Sequence, residues 1–185
     1  MSSSKRTSTL PKPPTSFAPS IVVSDTATLV GTHGIVVRDS TIIHPRARIL
    51  SAHGPVTIGS SCILSERSCT GLQDAAKDQL EGVIIEDGVV LEVGSVVEAR
   101  RVGKGSLIEI NANIGKGAII GKHCTIGPLC SVGEGEVLPD YTVIYGAGIR
   151  RIDKSAVEEM KAKTVSRQAE ALKKLVPSNL AKYQA

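Results

Sequence analysis

The stretch from residue 102 to residue 145, VGKGSLIEINANIGKGAIIGKHCTIGPLCSVGEGEVLPDYTVIY, decides the fold. Within it Val102, Ile108, Ile114, Ile120, Ile126, Val132, Leu138 and Ile144 recur at a spacing of six, eight times without a break. The following residue is often glycine: Gly103, Gly115, Gly121, Gly127 and Gly133. Four places after each apolar residue stand Ser106, Ala112, Ala118, Cys124, Cys130, Glu136 and Thr142, all small except Glu136. A period of six fits neither an amphipathic helix nor a plain hairpin meander. It fits a parallel β-helix of hexapeptide repeats, each hexad supplying a short strand and a turn. With three hexads per coil, positions eighteen apart stack, giving the columns Val102/Ile120/Leu138, Ile108/Ile126/Ile144 and Ile114/Val132. Each column is an aliphatic ladder at the ~4.8 Å spacing of neighbouring strands, a setting that suits β-branched side chains.

Working back from this block, Ile85, Leu91 and Val97 hold the frame, with a slip of one before Val102. Ile58 and Leu64 fit, with Cys62 and Ser68 at the small positions. Val23 and Leu29 fit too, and two extra residues precede Val37, Ile43 and Ile49. Residues 71–82 leave the pattern and are expected to form a loop at one corner of the prism, either a contact site or a tolerated excursion. The whole makes an all-β solenoid of roughly six coils and roughly 30 Å. The expected domains are a disordered Ser/Thr/Pro-rich arm at 1–20, the β-helix at 21–149, and a C-terminal helix with a basic tail at 150–185. In the tail, Val157, Met160, Val165, Ala169, Leu172 and Val176 form one apolar stripe. That stripe predicts an amphipathic α-helix over 154–176, with Asp153 as N-cap and Pro177 as stop. The helix is expected to lie along a prism face or over an end, with free projection as the alternative.

Composition agrees with this reading. Ile and Val number 37 of 185 residues, whereas Phe and Tyr total four and Trp is absent, so the core must be aliphatic and narrow. The net charge of +4 sits on the tails: residues 1–20 carry +3, residues 150–185 carry +5, and the body carries −4. That distribution argues against a nucleic-acid groove in the body, and the scarcity of aromatics argues against a base-stacking platform. No apolar run reaches ~18 residues, and the first residues lack an apolar leader, so neither a membrane span nor export is expected. Cys62, Cys69, Cys124 and Cys130 form no CxxC pair and read as small buried thiols.

Three blocks carry a family resemblance: Thr41-Ile-Ile-His-Pro-Arg-Ala-Arg-Ile49, Gly54-Pro-Val-Thr-Ile-Gly59 and Val137-Leu-Pro-Asp-Tyr-Thr-Val-Ile-Tyr-Gly146. In order and spacing they are similar to the dynactin subunit 6 family. The resemblance implies a left-handed β-helix. It also implies a non-catalytic structural subunit, without cofactor, in the pointed-end complex of dynactin, the activator of dynein in microtubule-based transport. Its partners would be dynactin subunit 5 (a sister β-helix), dynactin subunit 4 and the actin-related pointed-end protein, in the cytoplasm and on the cytoskeleton. Candidate interface residues are Tyr141 and Tyr145 at the end of the last coils, with packing under the terminal helix as the other reading, and Leu72 and Leu80 in the loop. Glu136 at an inward slot suggests a last coil that is loosened or faces a partner. No cap precedes Val23, so the arm or another subunit is expected to cover the first coil.

The rival expectation is an enzyme of the same fold, a homotrimer of γ-carbonic-anhydrase or acyltransferase type. Zinc would need three converging ligands. The four histidines, His33, His44, His53 and His123, include no pair five apart, and corners from distant coils of one prism cannot meet, although a trimer interface could in principle assemble them. His44 before Pro45 reads as a turn residue. His123, next to inward Cys124, is the one candidate acid–base group, and the sequence shows no carboxylate placed to orient it. Gly103-Lys-Gly105 and Gly115-Lys-Gly117 lack phosphate-loop spacing and read as repeat corners.

Overall fold

The computed structural model describes residues 11–74 and 82–183. Among them the chain winds a left-handed parallel β-helix with three flat sheets, its strands numbered here in chain order. The first sheet stacks β1 (Thr15–Phe17), β4 (Ile35–Val37), β7 (Val56–Ile58), β10 (Val83–Ile85), β13 (Arg101–Val102), β16 (Ile119–Ile120) and β19 (Val137–Leu138). The second stacks β2 (Val22–Val23), β5 (Ile42–Ile43), β8 (Ile63–Leu64), β11 (Val90–Leu91), β14 (Leu107–Ile108), β17 (Thr125–Ile126) and β20 (Thr142–Tyr145), then β21 (Ile149–Ile152). The third stacks β3 (Thr28–Gly31), β6 (Arg48–Ser51), β9 (Cys69–Thr70), β12 (Val96–Val97), β15 (Asn113–Ile114) and β18 (Ser131–Val132).

The predicted columns are the observed registers. Val102 pairs with Ile120 and Ile120 with Leu138, Ile108 with Ile126 and Ile126 with Ile144, and Ile114 with Val132. Phe17, Val37, Ile58 and Ile85 extend the first column downward, and Val23, Ile43, Leu64 and Leu91 the second. The small slots hold buried Ala47, Cys62, Ser68, Ala112, Ala118, Cys124 and Cys130, where the chain turns too tightly for a larger side chain. All four cysteines are free and buried. Burial pushes the Cys62 thiol up to about 12 and raises Cys69 and Cys124 too, so these thiols stay protonated and inert.

The irregularities in the repeat fall at one place. The extra residues before Ile35, those at 51–55 before Val56, and the excursion after Thr70 all occupy the corner between the third sheet and the first, in successive coils. The first two stack: the Thr32 and His33 amides both donate to the Ser51 carbonyl, and His33 Nδ1 lies 2.8 Å from the same oxygen. In the third coil Leu72 is buried in the core, and the Gln73 amide donates to Glu98 Oε1 at 2.7 Å. Leu72 is therefore a packing residue rather than an exposed interface residue. Leu80 lies outside the described residues, as do residues 1–10 of the expected arm. The ordered body begins before residue 21, because β1 pairs in register with β4.

The helix α1 spans Glu158–Leu175 and starts four residues later than the apolar stripe predicts. Asp153 does not cap it. Its carboxylate instead accepts from the Ser155 amide and hydroxyl and faces Lys161 Nζ at 3.3 Å, which holds it down at about 2. Helix α1 lies along the second sheet, with Val165, Ala169, Leu172 and Val176 over the outward row Val22, Ile42, Ile63, Val90 and Leu107. This row explains why both residues of β5 and β8 are buried while most other strands bury one.

Beyond Pro177 the chain returns to the first coil. Ser178 bridges Ser24, the Asn179 amide donates to the Val23 carbonyl, and Tyr183 sits 6% exposed over the open end. The Tyr183 hydroxyl lies 2.8, 3.1 and 2.9 Å from the carbonyls of Ser24, Asp25 and Ala27. The first coil is thus closed by the chain's own tail, together with residues 11–17, and needs no other subunit. At the opposite end Glu136 is not a loosened inward residue. Its carboxylate accepts from the Gly133 amide at 2.9 Å and pairs with Arg150 of β21, so it ties the last coil to the terminal hairpin.

Candidate functional site

The corner joining the first sheet to the second repeats in successive coils. Its residues form a ladder in which Ser61 N–H donates to Asp39 O, Gly88 to Ser60, Gly105 to Asp87, His123 to Lys104 and Tyr141 to Lys122, at 2.8–3.0 Å. The donor residue of each rung is left-handed, with φ of 56° at Ser61, 55° at His123 and 62° at Tyr141. Corner carboxylates brace the turns of the neighbouring coil: Asp87 accepts from Ser60 N–H, Glu86 from Lys104 N–H and Asp140 from Lys122 N–H. Carboxylates suit this place because the turn amides would otherwise face water without a protein partner.

On this ladder the His123 and Tyr141 rings stack, with centroids 5.4 Å apart and planes 18° from parallel. The other face of the imidazole lies over Gly105, where a Cβ would come within 2.7 Å of Nδ1. The ring is therefore held from both sides, by a glycine that has no side chain and by a phenol. Desolvation, with Glu158 and Asp140 beside it, pushes the Tyr141 hydroxyl above its ordinary value.

The N-terminal half of α1 stands over this corner and encloses a cavity of about 330 Å³, lined by Ser60, Ser61, Asp87, Lys104, His123, Glu158, Lys161 and Ser166 among others. A second groove of about 280 Å³ runs along the other flank of the helix, past Glu92, Leu107, Thr125, Met160 and Gln168. The first is at the lower end of the volumes that take small ligands, and the second is just below it. The first brings together one imidazole, two carboxylates and two ammonium groups. Sequence reasoning found His123 but missed Asp87 and Glu158. Asp87 is two coils away, and Glu158 is brought over the corner only by the docking of the helix.

The other histidines do not join this site. His33 and His53 belong to the corner between the third and first sheets, and His44 to the corner between the second and third. His44 is half-buried rather than an exposed turn residue. Its Nε2 has no hydrogen-bond partner among the described residues, and burial lowers its pKa against the opposing pull of Glu66 and Glu92. No group of metal-ligating side chains occurs among the described residues. Tyr145 is 42% exposed and faces Ile149 across the terminal hairpin, so the two candidate tyrosines have separate settings.

Comparison with known proteins corrects the expected identity. No family model matches the chain, and no curated protein matches it. Among solved structures, one from Bacillus cereus assigned as an acetyltransferase superposes with TM-score 0.70 at 21% identity, over 89% of this chain and 97% of that one. A hexapeptide transferase family protein from Anaplasma phagocytophilum superposes with TM-score 0.63 at 11% identity, over 86% and 95%. At these identities the likeness shows the fold. The dynactin reading is withdrawn with everything that depended on it: the non-enzymatic role, the dynein and microtubule-transport setting, the three dynactin partners and the cytoskeletal location. The reason is visible in the motifs that suggested it. Ile43 and Ile49 are inward ladder residues, Arg46 is a left-handed corner (φ 60°), and Gly59 is forced by the approach of Asp87, 2.5 Å from where a Cβ would be. Asp140 and Tyr141 are turn residues of the ladder described above. The three blocks report coil geometry, which any hexapeptide prism shares. No described helix is long and apolar enough to cross a membrane.

Proposed function

We propose that the protein is an acyltransferase of the hexapeptide class, with the cavity between the His123 corner and α1 as its site. The observation that carries this reading is the imidazole of His123, fixed between Gly105 and Tyr141 inside a cavity that also holds carboxylates and lysines. A hydroxyl or amine acceptor attacks the carbonyl carbon of a thioester donor. His123 removes the acceptor's proton as the new bond to carbon forms, and returns it to the sulfur as the carbon–sulfur bond breaks. Lys104 and Lys161 suit an anionic carrier on the donor, and Asp87 and Glu158 stabilise the imidazolium that forms between the two proton transfers. The transferase assignments of the two structures that share the fold agree with this chemistry.

The homotrimer expected of such an enzyme has an available face. The outward row of the first sheet, which includes exposed Val36, Ile84 and Val137, borders the His123 corner, so a second copy packed on it would flank the cavity.

The test uses the purified full chain, short acyl thioesters and a panel of amines and hydroxyl compounds, with free thiol release as readout. Acceptor-dependent release is expected, and His123→Ala should lower kcat by about 10²–10⁴-fold with unchanged thermal stability. Turnover that survives His123→Ala, or no turnover with any acceptor, would overturn the reading. A native mass of one chain would remove the trimer alone.

A further inference from the structure

The two cavities that flank α1 share four lining residues, Gly88, Gly105, Lys161 and Val165, so they meet beneath the helix. The roof over this meeting point follows from how the helix docks. Its apolar contact with the second sheet is made by Val165, Ala169, Leu172 and Val176, and among the described residues none before Val165 takes part. The first turns of α1 therefore stand off the outward row of the sheet. Met160 belongs to these turns, and it is 63% exposed over the groove instead of packed on the strands.

The groove differs in chemistry from the His123 cavity. Val90 and half-buried Leu107 wall it from the sheet, Met160 and Val165 from the helix. Its charged lining groups are Glu92, at the corner between the second and third sheets, and Lys161, at the junction. The Lys161 ammonium is turned to Asp153, 3.3 Å from Oδ2. Lys104 lines the His123 cavity and not the groove. An anionic carrier is thus directed to the His123 cavity, and the groove is left for an uncharged aliphatic chain.

We infer that the groove takes the acyl chain of the thioester donor, and that this chain is aliphatic and longer than acetyl. The inference deepens the acyltransferase reading and rests on it. With the reacting carbonyl beside His123 and the carrier toward Lys104, the chain leaves on the other side, crosses Gly88 and Gly105, and lies between Leu107 and Met160. Both crossing points are glycines, so no side chain narrows the passage there. Glu92 and Gln168 give the far side of the groove a polar border. A chain that runs beyond them meets water and gains nothing further.

The experiment compares acetyl, octanoyl and dodecanoyl thioesters on the full chain, with thiol release as readout and the acceptor that supports acetyl transfer. A buried methylene is worth about fourfold, so octanoyl should exceed acetyl in kcat/KM by at least about tenfold, and dodecanoyl should add little more. Thr164→Trp sets a ring in the groove from an exposed helix position and should bring the octanoyl-to-acetyl ratio near one. Met160→Gln, which only makes one wall polar, should lower that ratio by about two- to fourfold. Thermal melts confirm that both variants fold. In a second measurement octanoate is titrated into the full chain while the methyl signals of Leu107 and Met160 are recorded. Saturable shifts are expected, and none of the Leu107 signal in Thr164→Trp. Three results would each overturn the groove proposal and leave His123 standing: acetyl transfer without an octanoyl advantage, a ratio unmoved by Thr164→Trp, or an advantage that follows an octylamine acceptor instead of the donor. Absent octanoate shifts would also overturn the groove alone, whereas no turnover with any thioester overturns both readings.

Discussion

Gly88 and Gly105 occupy equivalent rungs of the same corner ladder, both with φ +67°, yet they do different things. A Cβ on Gly88 would find its nearest atom 3.9 Å away, whereas a Cβ on Gly105 would meet His123 Nδ1 at 2.7 Å and Cε1 at 2.9 Å. Gly88→Ala should therefore cost only the backbone strain of a left-handed residue, about 1–2 kcal/mol. Gly105→Ala carries that same cost and in addition must expel the imidazole from its stack on Tyr141. The ring signals of His123 and Tyr141 should shift in Gly105→Ala and stay in place in Gly88→Ala, while the melting temperatures fall in both. If the ring signals of the two variants are alike, Gly105 does not seat the histidine. The sequence showed Gly105 only as a repeat corner, because the contact that distinguishes it comes from a residue one coil away.

The elements differ in how openly the sequence displays them. The strand columns from Val102 onward were fully legible, since one spacing repeats and each register follows from the last. The early coils were legible with gaps, and the structure gives the gaps a common cause: insertions are tolerated at the corner between the third and first sheets, where successive coils stack their excess chain. The start of α1 was misread because Asp153 followed by an apolar stripe looks like an N-cap, while its carboxylate is in fact occupied by the turn at Ser155. The docking of the helix was legible only as an apolar stripe, and the face that receives it was not singled out. The buried position in that contact is Ala169, 3% exposed against Val22, Ile42, Ile63 and Val90. Ala169→Asp would place a carboxylate on a row with no cation among those residues and should cost at least about 2 kcal/mol. The helix is expected to detach, with faster tryptic cleavage after Lys163 and Arg167, while the amides of β13 to β19 keep their protection. Met160→Asp, at a position 63% exposed on the same helix, should change stability by no more than about 0.5 kcal/mol. Equal protease sensitivity of the two variants would mean that the apolar stripe does not hold the helix down.

At the scale of the whole molecule, a solenoid must solve its ends, and here residues 178–183 close the first coil. Nothing local announces this: the partners of Tyr183 lie at Ser24, Asp25 and Ala27, more than 150 residues earlier, and the segment around Tyr183 has no periodicity to extend. The closure ties the segment that follows α1 to the first coil. It also has a definite pH signature. Desolvation first, and the Asp25 carboxylate second, raise the Tyr183 phenol above its ordinary value. The folded state therefore holds the proton more tightly than the unfolded chain does. The resulting stability is complete below the unfolded pKa of about 10 and is lost as pH rises through the higher folded value. Tyr183→Phe keeps the ring but removes the donor from three carbonyls, at a cost of about 1–3 kcal/mol near neutral pH. The gap in melting temperature between the natural chain and Tyr183→Phe should hold steady up to pH ~9 and narrow above pH ~10 as the phenol ionises and the cap weakens. Thermal unfolding of both proteins across that range decides it, and a gap that is constant to pH ~11 would mean that Tyr183 does not seal the first coil.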